Sequence, residues 1–191
     1  MEVSNQISQS EQLLRTGRFA EAIDLLTAIL AEDPSDRQAL LNVGIAYTEH
    51  GENDKAIKAL THYVADDKAN PEAWEALGCA YLRKGEYPSA ETHLRAAQEL
   101  APDNASILRN LSVLLSRTGR GKESFHTLQR AHELNGSDYL TTYALALAYL
   151  GLGDRENAQS LFEEMLAFFP GLPKPLRDDI QMKLVEFSIG W

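Results

Sequence analysis

The residues of this chain that could do chemistry are few and do not converge. Five histidines, His50, His62, His93, His126 and His132, are scattered. None pairs with another at the i,i+3 or i,i+4 spacing that puts two imidazoles on one helix face, and none stands in an H-E-x-x-H context, so no metal centre is expected. Cys79 is the single cysteine, which leaves no intramolecular disulfide and no resolving thiol. Arg120-Gly121-Lys122-Glu123 faintly suggests a phosphate loop, but the spaced glycine and the hydroxyl after the lysine are missing. Asn104, Asn110 and Asn135 each open an Asn-X-Ser triplet, which matters only in a secreted chain. Nothing has the form of a nucleophile elbow or a dinucleotide loop. The chain is therefore not expected to be an enzyme, and no cofactor is expected.

What the sequence does hold is a pattern of sizes. Over Pro71 to Asn104, Trp74, Leu77 and Tyr81 fall at i, i+3 and i+7, one face of a helix. Gly78 within it lets a second helix come close, at about 1 kcal/mol of helix propensity. Gly85 stands where the chain must turn with positive φ. Pro88 opens the second helix, where its missing N–H is harmless. Ala90 is read as the small residue facing Gly78, Leu94 and Ala97 as the inner face of the second helix, and Pro102 as its stop.

This order and spacing resembles a tetratricopeptide repeat, a 34-residue helix–turn–helix. The resemblance extends over five copies, at about 3–36, 37–70, 71–104, 105–138 and 139–172, giving a repeat array over 1–172. In the first copy Gln6 and Gln9 replace Trp74 and Leu77 and only Ser10 and Leu13 keep the first-helix pattern, as suits a terminal repeat with no outer neighbour. Residues 173–191 form a capping helix and apolar tail. Leu176, Ile180, Leu184 and Phe187 share one face there, and Met182, Val185, Ile189 and Trp191 lie off it. That surplus is either a wider packing face or a contact with a second chain or with the array's own groove. The fold implied is all-α: a right-handed superhelical solenoid of five helix–turn–helix repeats plus a C-terminal helix.

Composition narrows the partners. The chain has 191 residues with 44% hydrophobic and 24% charged, values of a soluble globular protein. A net charge of −10 disfavours nucleic acid and anionic membrane surfaces. The opening residues MEVSNQISQSEQ lack an apolar core, and no stretch approaches 18 apolar residues, so a cytoplasmic location without membrane insertion is expected.

In the family, the first helices of the pairs line a concave groove that binds a segment of a partner protein, and no tetratricopeptide repeat is itself catalytic. Carried onto this chain, that groove would hold Leu41, Asn42, Ile45, Glu49, Glu75, Cys79, Leu82, Arg83, Arg109, Asn110, Val113, Arg117, Tyr143 and Leu147, with Leu140 and Leu150 beside them. Ile45, Cys79, Val113 and Leu147 form an apolar row. Arg15, Arg83 and Arg117 form a basic row interrupted by Glu49, with Arg109 adding a further charge. Such a surface suits a segment with apolar anchors and acidic flanks; alternatively the arginines are solvated or paired with Glu49, Glu72 and Glu75. The lysine–asparagine pair with which one subset of the family grips a chaperone's C-terminal carboxylate has no match here. The function implied is a scaffold or adaptor, or alternatively a dedicated chaperone masking an aggregation-prone secretion or assembly partner, with self-association through the C-terminal tail as a further contact.

Overall fold

The computed structural model describes residues 2–189, with side chains for 3–188. The Ile189 side chain and Trp191, both read as part of the apolar tail, thus lie outside the described residues. Among those residues all regular secondary structure is α-helical: α1 (Glu2–Arg15), α2 (Phe19–Glu32), α3 (Arg37–His50), α4 (Asn53–Asp66), α5 (Pro71–Lys84), α6 (Tyr87–Leu100), α7 (Ala105–Arg117), α8 (Gly121–Leu134), α9 (Tyr139–Gly151), α10 (Arg155–Phe168) and α11 (Lys174–Ile189). They fall into two compact units, Met1–Pro102 and Asp103–Trp191.

The boundaries follow from two local devices that recur at the repeat spacing. Asp36, Asn70, Asn104 and Asp138 cap α3, α5, α7 and α9, each accepting a hydrogen bond from a backbone N–H of the first turn. Those donors have no partner inside the helix, so each cap satisfies what the helix start leaves open. At the other end, Gly85 takes φ 78° and its N–H reaches the Leu82 carbonyl, while the Glu86 N–H reaches Tyr81 at 3.0 Å. Only glycine adopts that left-handed conformation without a Cβ penalty, so α5 stops there and α6 starts two residues on.

In the unit Met1–Pro102 two of the helix pairs, α3–α4 and α5–α6, each close on one tight contact. A Cβ built on Gly78 would lie 2.6 Å from Leu94 Cγ and 3.1 Å from the Leu94 backbone nitrogen. The residue facing Gly78 is therefore Leu94, not Ala90 as the sequence pattern suggested. Ala90 is fully buried one turn earlier in α6. The large side chain fills the space the glycine vacates, which packs better than two small residues meeting. Gly44 and Leu60 repeat the contact between α3 and α4. In α1, Ser10 and Leu13 are buried and Gln9 is exposed, matching the polar reading of the first helix.

α5 and α6 are further joined by a ring stack. The His93 imidazole lies between Trp74 and Tyr81, with centroids at 5.5 and 5.2 Å and planes 22° and 18° from parallel. Its Nδ1 is buried without a hydrogen-bond partner among the described residues, and burial lowers its pKa.

In the unit Asp103–Trp191, α7 pairs with α8 and α9 with α10. Ser112 stands at the position of Gly78, and Ser124 Oγ donates to the Ser112 carbonyl at 2.7 Å. α11 buries Ile180 completely in a cluster with Ala146, Phe162, Met165 and Leu172, with Leu176, Leu184 and Phe187 packed on its edge. Met182 and Val185 face away and are more than half exposed, 56% and 55%. No helix among the described residues is long and apolar enough to cross a membrane.

Two outcomes are expected. Gly78→Leu should lower unfolding free energy by about 1–3 kcal/mol or more, because its side chain must displace Leu94, whereas Gly121→Ala, where a Cβ meets nothing within 4 Å, should not; equal urea midpoints would refute the contact. A histidine with a folded pKa below its unfolded value binds fewer protons when folded, so its contribution is complete above the unfolded pKa of about 6.5 and declines as the pH falls below it. Replacing His93 by Phe keeps a ring and removes the proton. The wild type should thus lose stability relative to the variant between pH 7 and 5, and a difference that stays flat with pH would sink this reading.

Candidate functional site

The first helices of the pairs carry the expected surface residues, and the two units treat them differently. In the unit Met1–Pro102, α3 and α5 place Ile45 and Cys79 at equivalent half-buried positions. Glu49 and Arg83, one turn further along, are bonded to each other. Arg83 Nη2 donates to Glu49 Oε2 at 2.9 Å, and Nη1 donates to the Thr48 carbonyl. Arg83 therefore bridges two neighbouring first helices, and the row of charge is neutralised here. A pair with side chains 40% and 44% exposed contributes little to stability, about 0–1 kcal/mol.

Leu41 and Asn42 are buried, each 4% exposed. Leu41 belongs to the core that α3 shares with α5, beside Ala73 and Leu77. Asn42 accepts from Gln38 at 3.2 Å, and its amide nitrogen has no partner among the described residues. The reason is that α3 is enclosed on several sides: it packs against α1, α2, α4 and α5. Glu75 and Leu82 on α5 are half-buried.

In the unit Asp103–Trp191 two expected site residues turn out to fasten the structure. Arg109, only 22% exposed in its side chain, is ion-paired with Asp138 and donates to Ser106 Oγ at 3.2 Å. Asp138 also accepts from Thr141 Oγ1 at 2.6 Å and from the Leu140 N–H at 3.1 Å. Burial alone would raise its pKa, but the Thr141 hydroxyl and the Arg109 charge together hold it below the usual carboxylate range. Tyr143 donates its hydroxyl to Asp179 Oδ2 of α11 at 2.5 Å, and Lys183 Nζ donates to Oδ1 of the same carboxylate at 2.9 Å. Burial, then the Asp179 contact, pushes the Tyr143 hydroxyl up to about 12. The hydrogen bond from Tyr143 in turn pulls Asp179 down.

The remaining positions stay open. Val113 on α7 is 40% exposed, and Leu140 and Leu147 on α9 are 47% and 38% exposed. Asn110 is half-buried. Arg117 is exposed and has no ion pair among the described residues. α9 reads YLTTYALALAYLG and carries no acidic or basic side chain, so Leu140, Ala144, Leu147 and Gly151 form an uncharged stripe along it. Sequence reasoning found Leu140 and Leu147 but missed Asp138 and Asp179, the two carboxylates that tie down Arg109 and Tyr143. The first was detectable: it stands at the helix-cap position also held by Asp36, Asn70 and Asn104. Among the described residues no group of His, Cys, Asp and Glu could hold a metal ion.

Sequence profiles described as tetratricopeptide repeat match residues 13–78, 71–104 and 141–167. The chain is a tetratricopeptide repeat protein. Among curated proteins it is similar to the BBSome complex member BBS4 of Bos taurus, 28% identical over 151 residues, which is 79% of this chain and 29% of that one. The chain thus spans under a third of that relative's length. Among solved structures it is similar to TTC0263, a thermophilic tetratricopeptide repeat protein of Thermus thermophilus (TM-score 0.84, 22% identity, 95% of this chain and 98% of that one), a likeness of fold alone. It is also similar to MamA (TM-score 0.66, 25% identity, 83% and 92% coverage).

The role of Tyr143 as a fastener is open to test. Tyr143→Phe removes one hydrogen bond to a carboxylate and should cost about 1–2 kcal/mol, with faster amide exchange in α11. Unchanged exchange in α11 would show that the tyrosine does not hold it.

Proposed function

We propose that this tetratricopeptide repeat protein is a non-catalytic scaffold that holds a segment of a partner protein on α7 and α9, the first helices of the pairs in the unit Asp103–Trp191. The observation that carries this reading is the exposure of large apolar side chains on first helices, Val113 on α7 and Leu140 and Leu147 on α9, with Arg117, one turn after Val113 on α7, a guanidinium without an ion pair among the described residues. Large apolar side chains left exposed at recurring positions of the repeat have the form of an interaction surface. A guanidinium left unpaired on a chain of net charge −10 is a ready donor to a carboxylate. The segment that fits has apolar side chains at helical or extended spacing and an acidic residue at one end. BBS4, the curated relative, is by its description a member of a complex, which agrees with a scaffold role.

Arg83 and Arg109 are already engaged by Glu49 and Asp138, so reversing either would break an internal pairing as well as alter the surface. The informative variant is therefore Val113→Asp, Leu147→Asp and Arg117→Glu together. Partners captured from native extract by the wild type should be lost, by tenfold or more, in this variant at equal helicity, and retained by Lys122→Glu on the second helix α8. Partners held equally by wild type and triple variant would overturn the assignment to α7 and α9.

A further inference from the structure

On the side of α3 away from its groove positions, α2 and α4 leave an open cleft of about 520 Å³. Leu30, Val43, Tyr47 and Ala59 give it an apolar lining, and the three ionisable side chains at its rim besides the tyrosine are Lys55, Lys58 and His62. These three stand at i, i+3 and i+7 of α4 and so share one face. Lys55 lies over the Tyr47 ring at 5.3 Å and is paired with Glu52, while Lys58 and His62 are exposed with no ion pair among the described residues.

The repeat supplies its own comparison. Thirty-four residues on, the place of Ala59 is taken by His93, Tyr47 by Tyr81 and Leu40 by Trp74. There an imidazole fills the space, stacked between the two aromatic rings. At the matching place in the unit Asp103–Trp191, Leu161 stands for Ala59, and Thr142 contacts His132 across it at 3.2 Å. The rims differ too: Ser89, Thr92 and Ala96 in one, Asn157, Ser160 and Glu164 in the other. Neither of these two combines a missing ring with a basic rim, and in the α7–α8 pair, where Thr127 stands for Ala59, Leu115 replaces Tyr47 and Glu123 replaces Lys55 on a rim with His126 and Arg130. A concave, mostly apolar site of this volume with a few convergent polar groups has the form of a binding pocket.

We propose that this cleft is a second binding site, which takes an aromatic side chain flanked by carboxylates from a partner protein. The ring occupies the space above Ala59 and beside Tyr47 that His93 fills in the next pair. The carboxylates meet the Lys58 ammonium, with the His62 ring beside it on the same helix face, on an otherwise acidic chain. The cleft opens to solvent between two helices, so a passing segment can lower one side chain into it. The inference does not rest on the α7 and α9 surface.

The test is a titration of isotope-labelled full chain with the acetylated, amidated peptide DWD, read by amide shifts. Saturable shifts at Tyr47, Ala59 and Lys58 are expected, weakening with added salt. Ala59→His, which installs the neighbouring pair's ring, should abolish them. Lys58→Glu, a surface change that leaves the packing intact, should weaken them several-fold. The triple variant at Val113, Leu147 and Arg117 should bind as wild type. No shifts at these amides, equal binding of the peptide KWK, undiminished binding by Ala59→His, or loss in the triple variant would each overturn the proposal. So would binding of free N-acetyltryptophan without binding of the peptide, since the source would then be a small acid and not a protein segment.

Discussion

The structure depends on how closely two helices can approach within a pair. At Gly78 and Gly44 the second helix comes so near that no Cβ fits, and Leu94 and Leu60 fill the space instead. Both leucines are fully buried. A contact of this kind fixes the depth at which the pair closes, and hence which faces of each helix are left for neighbours. Where the glycine is replaced by Ser112, its carbonyl gains a hydrogen bond from Ser124, so the contact is polar there. In the α3–α4 and α5–α6 pairs these points lie within the buried core. α3 shows the result: with its partner so near, and α1, α2 and α5 also against it, Leu41 and Asn42 are enclosed, and only the two ends of the helix, at Arg37, Gln38, Glu49 and His50, are exposed.

Most of the fold was legible because the repeat writes its instructions locally. Positive-φ glycines such as Gly85, the apolar face of Leu77 and Tyr81, and the terminal-helix face of Ile180 and Leu184 all depend on neighbours a few residues away. Spacing alone reports such residues. The identity of the group facing Gly78 did not follow, because Ala90 and Leu94 lie one turn apart on the same helix and periodicity cannot choose between them. What chose was packing: a branched side chain fills the space that a methyl would leave empty.

The surface was less legible for a different reason. Which arginines are free is decided by residues far away in sequence. Arg83 meets Glu49 and Arg109 meets Asp138, while Tyr143 is drawn to Asp179. Each pairing joins positions about one repeat apart, so a row of like residues in the sequence becomes a row of unlike environments in the fold. Of the basic residues expected on α7, only Arg117 keeps an unshared charge among the described residues. The ring stack of Trp74, His93 and Tyr81 has the same lesson: identical scaffold positions hold a filled contact in one pair and an open cleft in the one before.

The absence of charge along α9 has a kinetic consequence. Its exposed leucines interact through buried area, which added salt does not screen, whereas the reach of Arg117 shrinks to about 8–10 Å at ordinary ionic strength. If a partner docks on this surface as proposed, the arginine would govern how fast and in what orientation it arrives, and the leucines how long it stays. Changes in ionic strength would alter the rate of arrival far more than the time of residence.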